Sequence, residues 1–390
     1  MKFLFVSNLF PDTREPARGL FNARLVKYLS QLHELRVISP RPAPGWLPSG
    51  TRTARPEDEK FIPIFPPTGY LPRIGDRWNH LLMAGSLRGP LEQTRKEFPF
   101  QAILAAWAYP DCCAIAQLAA KMKVPFVALV QGSDAHQYLN IPVRRRIIVE
   151  SLNTAAAVVA QSLELQRLLR EAGVKPEKLH TIYNGVEQDA FKPGDRAAAR
   201  AGLNLPVDDT LLLYVGNLLP VKNPLLLIEA HAILVKRNPG RSFRLVMIGT
   251  GPLRGEIQRR TRQLGTDSLV HLAGGQPPEL VARHMQAADV VCIPSDNEGL
   301  PNVLNEAFSC GRRVAATRVG GIPEILSADF LGRTVARRDP AAMAGAVEQI
   351  LAEPELSEPI TGHIRRFSWE NCAAEHARLL EKAAQTFHYQ

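Results

Sequence analysis

Residues 289–311 read DVVCIPSDNEGLPNVLNEAFSCG. The apolar run 289–294 predicts a buried strand. Pro301 suits the first turn of a helix, where a missing N–H costs nothing. The helix then runs from Asn302 to about Ser309, and Gly311 fits its C-terminal cap. Strand, short Gly-containing loop and helix N-terminus thus follow in order, an arrangement that offers free N–H groups and a positive dipole end to an anion. Glu298 falls in the loop, and Glu306 lies one turn beyond Asn302 on the same face of the helix. A carboxylate so placed can accept two hydrogen bonds from a vicinal diol such as a ribose. The same residues also read as an ordinary helix with a capping carboxylate and an exposed glutamate.

Outward from this stretch the pattern repeats. YVGNLLPVKNP (214–224) is another strand running into a Gly loop and a helix. It puts Lys222 at the C-terminal edge of a sheet, where ligands of open α/β sheets bind. A lysine there neutralises a diphosphate, or is simply solvated. IGTGPLRG (248–255) brings Gly249 and Gly251 after a strand, but SLVHLAG ends in Gly274-Gly275 without the acid that a dinucleotide fold needs. The first βα loop, SNLFPDTREPARG, also lacks GxGxxG, so NAD is not expected. GxxxxGK[ST], HExxH, GxSxG and DxD are absent, and neither a metal nor a cofactor is expected.

Short apolar runs alternate with amphipathic segments along the whole chain. Strands are expected at 2–7, 34–39, 61–65, 102–107, 126–130, 156–160 and 180–183, then at 211–216, 243–249, 268–274, 289–294 and 313–317. Helical spacing occupies 18–33, 223–238, 279–288 and 341–352. Continuously apolar strands separated by helices mean parallel sheets covered on both faces. The series runs through twice, predicting two Rossmann-like, doubly wound α/β domains. The turn formers of 184–195 mark a boundary, giving domains 1–186 and 187–366 and a C-terminal helix, 367–390. The Pro/Gly-rich segment 40–60 reads as a surface loop.

At 390 residues the chain accommodates two or three domains and large cores without disulfides. Its five cysteines include no CxxC pair and read as buried apolar residues of a reducing compartment. The N-terminal apolar run is too short for a signal peptide, and no stretch is long enough to span a membrane. Net charge is +9 and unevenly spread: 24 Lys+Arg against 15 Asp+Glu in 1–185, but 23 against 23 in 186–390. A basic first half points to an anionic partner.

Strand-GNLLPVK-helix, IGTGPL, AADVVCIPSDNEGLPNVLNEAFSCG and GGIPEIL, in that order, resemble the C-terminal half of glycosyltransferase family 4. These are retaining, nucleotide-sugar-dependent enzymes of GT-B fold, and Glu298 to Glu306 has the spacing of their EX7E motif. YNGVEQDAFKP resembles the family's interdomain segment and FSWENCA the start of its last helix, which crosses back to the N-terminal domain. The likeness covers nearly all of 180–380. It is looser over 1–180, where NLFPDTREPARGLFNARLVKYL resembles the first loop and helix and QGSDAH the family's HGSD.

The resemblance implies two α/β domains facing across a cleft, and a role for each matched residue. Glu306 is expected on the donor ribose, and Glu298 on the donor sugar with amides around Gly299, Leu300, Asn302 and Val303. Lys222 is expected on the diphosphate, with Asn217, Gly249 and Gly251 nearby. Gly19 is expected to let the first loop approach the diphosphate closely. Two positions depart from the family. Asn217 stands where an arginine is frequent, and Gln131 replaces the histidine of HGSD, leaving Asp134 and His136 beside Glu298 and Lys222 as catalytic candidates. The implied reaction is front-face transfer with retention, assisted by the leaving diphosphate.

The implied acceptor is a glycan or lipid-linked sugar of a cell-surface polysaccharide, bound by the basic half. Residues 70–98 interleave Trp78, Leu81, Leu82, Leu87 and Leu91 with Arg73, Arg77, Arg88, Arg95 and Lys96. Together with Arg144-Arg145-Arg146 they suggest a helix lying on the anionic cytoplasmic face of a membrane. Nucleic acid is not expected, for want of a stacking platform or binding motif. The alternatives are a GT-B epimerase or hydrolase, and a silent sugar-nucleotide-binding scaffold.

Overall fold

The computed structural model describes residues 1–43, 52–72, 74–354 and 357–387. Two compact units emerge: 1–184 with 369–390, and 185–368.

The first unit opens with β1 (Lys2–Val6) and β2 (Glu34–Ile38), adds a short parallel pair β3 (Arg41–Ala43) and β4 (Pro67–Gly69), and continues with β5 (Ala102–Ala106), β6 (Phe126–Val130), β7 (Ala157–Ala160) and β8 (Leu179–Thr181). Its main sheet is parallel, in the order β2-β1-β5-β6-β7-β8. Every residue of β5 and β6 is buried, as strands covered on both faces require. One face packs under the helices Asn79–Glu97, Cys113–Met122 and Pro142–Leu152. The other packs under Leu20–Leu29 and the C-terminal helix Trp369–Phe387. That last helix buries Trp369, Cys372, Ala373, His376, Ala377 and Leu380, the three-and-four spacing of a helix with one apolar stripe.

The second unit holds β9 (Thr210–Val215), β10 (Phe243–Ile248), β11 (Val270–Gly274), β12 (Val290–Ile293), β13 (Arg313–Thr317) and β14 (Gly332–Val335). All are parallel, in the order β11-β10-β9-β12-β13-β14. Both sheets reverse their winding once, between β1 and β5 and between β9 and β12. The doubly wound expectation therefore holds for both units. Side chains cap the helices where the sequence offers them: Asp195 accepts from Ala198 N at 2.7 Å and Asp339 from Ala342 N at 2.8 Å.

Local expectations fail in four places. Residues 61–65 form no strand. Phe61 ends a 3₁₀ turn, Ile62 turns left-handed with φ 46°, and Ile64 makes a single bridge to Ile38. β14 escaped notice because GRTV is short, polar and on the sheet edge. In the helix Asn79–Glu97, Leu87 and Leu91 point into the unit's own core with Met83 and Ala84, so the apolar residues of 70–98 do not share one outward face. Arg144 is no free cation either: it ion-pairs with Asp76 and stacks over Tyr109 and Tyr138. Of the expected loop 40–60, residues 44–51 lie outside the described residues, as does Arg73. All five cysteines are buried, and none of them forms a disulfide among the described residues. Among the described residues no helix is long and apolar enough to cross a membrane.

Candidate functional site

In the second unit, the loops after β9 and β12 leave the sheet at its reversal, where neighbouring crossovers run to opposite faces and open a crevice. The first loop ends in the 3₁₀ turn Pro220–Lys222, and the second leads through 294–301 into the helix Asn302–Ser309. Lys222 Nζ donates to both carboxylate oxygens of Glu298, each at 2.7 Å. Ser295 Oγ adds a 2.7 Å bond to the same carboxylate. Glu298 is buried and the Lys222 side chain partly exposed. Burial, then the nearby Glu298 carboxylate, push the Tyr214 phenol up, and its hydroxyl donates to Asn217 O at 2.9 Å. Backbone bonds lock the loops together. Asp296 N donates to Val221 O at 2.9 Å, and Asn223 Nδ2 to Asp296 Oδ1 at 3.1 Å.

The glycines of this edge are required by close backbone approach. A Cβ on Gly249 would stand 1.9 Å from Gly216 O, and one on Gly251 2.5 Å from Leu218 O. Both have positive φ. Leu218 N donates to Thr250 O at 2.8 Å, tying the Asn217 loop to the Gly249–Gly251 loop. Gly320 presses on the Glu298 carbonyl, and Gly321 N donates to Gly299 O at 2.7 Å. Leu300 is buried beneath the loop. Asn302, Val303 and Glu306 occupy the first turns of the helix, each half-buried. The structure thus gathers Asn217, Lys222, Gly249, Gly251, Glu298, Gly299 and the helix start on one sheet edge.

Gly19, Asp134 and His136 belong to the first unit. Gly19 has φ 63°, and a Cβ there would lie 2.3 Å from Leu9 O. The chain's own backbone thus demands the glycine, whatever else approaches the loop. Asp134 is fully buried and accepts from Ala108 N at 2.7 Å and Gln131 N at 3.0 Å. Burial pushes its carboxyl up against those bonds. It holds two loops together instead of presenting an open carboxylate. His136 Nε2 faces Glu164 Oε2 at 3.4 Å. Gln131 Nε2 donates to Asn22 Oδ1 at 2.5 Å, and Asn22 Nδ2 to Leu9 O at 2.6 Å.

Sequence reasoning missed a polar network at the first unit's reversal. Asn8, after β1, donates from its backbone N to Asp111 Oδ1 at 2.5 Å and from Nδ2 to Asp111 Oδ2 at 2.7 Å. Arg18 Nε donates to Asn8 O at 2.8 Å. Asp12 accepts from Arg41, Arg52 and the amides of Arg14 and Glu15. Burial alone pushes the Asp12 carboxyl up, but those donors outweigh it and hold it at about 2. Arg41 opens the short strand β3 and Arg52 lies in an irregular stretch, both distant in sequence and with no periodicity to flag them. The local signal was the stretch NLFPDTREPARG, which holds Asn8, Asp12 and Arg18.

Residues 20–190 match the family model described as Glycosyltransferase Family 4, and residues 195–366 the model described as Glycosyl transferases group 1. A D-inositol 3-phosphate glycosyltransferase of Saccharomonospora viridis is 35% identical over 261 residues, covering 63% of this chain and 59% of that protein. One from Catenulispora acidiphila is 32% identical over 274 residues, covering 67% and 64%. The chain thus spans less than two thirds of the length of the curated relatives it matches. Among solved structures, Anabaena HepE in complex with UDP has a TM-score of 0.77 at 20% identity, covering 98% of this chain and 100% of that one. Sucrose-phosphate synthase of Thermosynechococcus elongatus also reaches 0.77, at 21% identity with full coverage of both. These likenesses show the fold, which is GT-B.

Proposed function

With residues 20–190 a Glycosyltransferase Family 4 domain and residues 195–366 a glycosyl transferases group 1 domain, we propose that the chain transfers a sugar, with retention, from a nucleoside-diphosphate donor to an acceptor hydroxyl. The observation that carries this reading is the Lys222–Glu298 pair at the reversal of the second sheet, beside a helix N-terminus. UDP is the first base to test, because HepE was solved with UDP and with UDP-glucose.

The roles follow from charge and reach. Lys222 and the first amides of the helix Asn302–Ser309 take the diphosphate, which exchanges Glu298 for phosphate oxygen as the partner of the ammonium. Glu298, released from that pairing, accepts from hydroxyls of the donor sugar. Glu306 accepts from the ribose hydroxyls. Gly249 and Gly251 let their loop pack closely on the Asn217 loop, which shapes the edge where the nucleotide would lie. In the chemical step the bond from the anomeric carbon to the diphosphate oxygen breaks. A bond to the acceptor oxygen forms on the same face, and the acceptor proton passes to the departing diphosphate. The chain contributes positioning and stabilisation of the leaving group.

Two acceptor classes are in play. The basic first half favours a glycan or lipid-linked acceptor at the cytoplasmic face of a membrane, while the relatives' name favours an inositol phosphate. Incubation with labelled UDP-, GDP- and ADP-sugars, each with a lipid-linked glycan or inositol 3-phosphate, tests both. Transfer to one acceptor, with the product anomer matching the donor, is the expected result. A folded chain that binds a nucleotide sugar yet transfers nothing would instead be a silent binding protein.

A further inference from the structure

Five large apolar side chains within residues 71–82 are exposed: Leu71 (37%), Ile74 (72%), Trp78 (51%), Leu81 (45%) and Leu82 (37%). None is needed by the core, since the inward face of the helix Asn79–Glu97 is filled by Met83, Ala84, Leu87 and Leu91. Contiguous exposed apolar groups of this size on a monomer mark an interaction surface.

The patch is held in place. Asn79 bonds Leu71 twice, accepting from its N at 2.8 Å and donating to its O at 3.2 Å. Tyr109 Oη donates to Asp76 O at 2.8 Å, and Arg144 pairs with the Asp76 carboxylate. Tyr109 follows β5, so these bonds fasten the patch to the C-terminal edge of the first sheet, the edge that carries the Asn8–Asp111 network. Cations flank it. Arg77 is exposed within the segment, and the helix Pro142–Leu152, which packs on the turn Gly75–Arg77, exposes Arg145, which donates to Glu171 O, and Arg146, which makes a solvent-exposed pair with Glu150. The acid inside the patch, Asp76, is already neutralised by Arg144.

We propose that Ile74, Trp78, Leu81 and Leu82 insert shallowly into the surface of an anionic lipid bilayer, with Arg77, Arg145 and Arg146 facing the headgroups. The charge complementarity fixes the occupant. An aromatic and three aliphatic groups among arginines, on a unit with 24 basic against 15 acidic residues over 1–185, suit an anionic interface. The surface is a short rigid corner, not a helix lying flat, because four of the six apolar residues of 79–97 are spent on the core. This docking rests on the lipid-linked reading of the acceptor and deepens it, since the bonds of Tyr109 and Arg144 tie the patch to the C-terminal edge of the first sheet.

Co-sedimentation of the full chain with phosphatidylcholine vesicles, with and without phosphatidylglycerol, tests this without donor or turnover. Its failure is therefore separate from any failure of the transferase reading. The wild type pellets with the anionic vesicles only, and rising salt releases it. Ile74→Ser/Trp78→Ser/Leu81→Ser lowers the partition at least about tenfold with an unchanged thermal midpoint, since these side chains are exposed. Arg77→Gln/Arg145→Gln/Arg146→Gln lowers it about a hundredfold at low salt. Equal recovery of wild type from both vesicle types overturns the proposal, as does undiminished binding of either variant. A wild-type dimer in solution that the serine variant converts to monomer also overturns it, by assigning the patch to a second copy of the chain.

Discussion

Glu298 and Asp111 occupy matching places: each reaches back from the later of two loops at a sheet reversal to a residue of the earlier one. Their partners differ, and so does their chemistry. Glu298 meets an ammonium. Asp111 meets the two amides of Asn8, and complete burial outweighs those bonds and the charge of Arg18, pushing its carboxyl up to about 7 from 3.8. Between those values the folded chain holds a proton that the unfolded chain has released. The contribution of Asp111 to stability is thus fully present below about pH 4 and lost as pH rises through about 7, with a slope of about 1.4 kcal/mol per pH unit. Asp111→Asn has no proton to lose. Urea unfolding from about pH 4.5 to 8 should show the difference between variant and wild type moving in the variant's favour. Parallel curves would mean that Asp111 stays ionised in the folded state throughout. Glu298 and Lys222 were legible because each sits in a strand–loop–helix pattern. The Asn8–Asp111 link was not: Asn8 falls in the first-loop likeness, but Asp111 lies 103 residues away with no motif around it.

The loop 298–300 is shaped by its neighbour 318–321. Gly320 has φ 54°, and a Cβ would stand 2.0 Å from Glu298 O and 2.9 Å from Gly299 O. Both obstacles are backbone, so no side-chain rotation relieves them. Gly320→Ala should cost about 1–3 kcal/mol of stability and weaken nucleotide binding by displacing the Glu298 loop. Gly345→Ala is the control: it lies in the helix Pro340–Ala352 with nothing within 4 Å of its missing Cβ. It should be neutral or stabilise by up to about 1 kcal/mol. Unfolding and titration calorimetry report both effects, and a Gly320→Ala protein with wild-type stability and affinity would contradict this view of the loop. At this scale the buried strands announced themselves by continuous apolar runs. Residues 61–65 looked alike but are interrupted by Pro63 and the left-handed Ile62, and the two apolar sides of Asn79–Glu97 cannot be told apart by spacing alone.

For the molecule as a whole, the alternation of strands and helices was enough to predict two doubly wound sheets, because buried parallel strands leave few other patterns. Strand order was not legible; it depends on pairings between segments tens of residues apart. The acceptor is equally hidden, since irregular loops such as 7–19 are held by arginines from elsewhere in the chain. At this scale the proposed function requires that the sheet edge around Lys222 and Glu298 bind a nucleoside diphosphate. Thermal unfolding of wild type, Lys222→Ala and Glu306→Ala with UDP, GDP and ADP tests it most directly. A ligand at a hundred times its dissociation constant adds about 2.7 kcal/mol to the folded state, enough to move a midpoint by several degrees. One diphosphate, UDP first, should raise the wild-type midpoint, and both variants should lose the shift. No shift with any of the three at millimolar concentration, or an undiminished shift in both variants, would contradict the assignment.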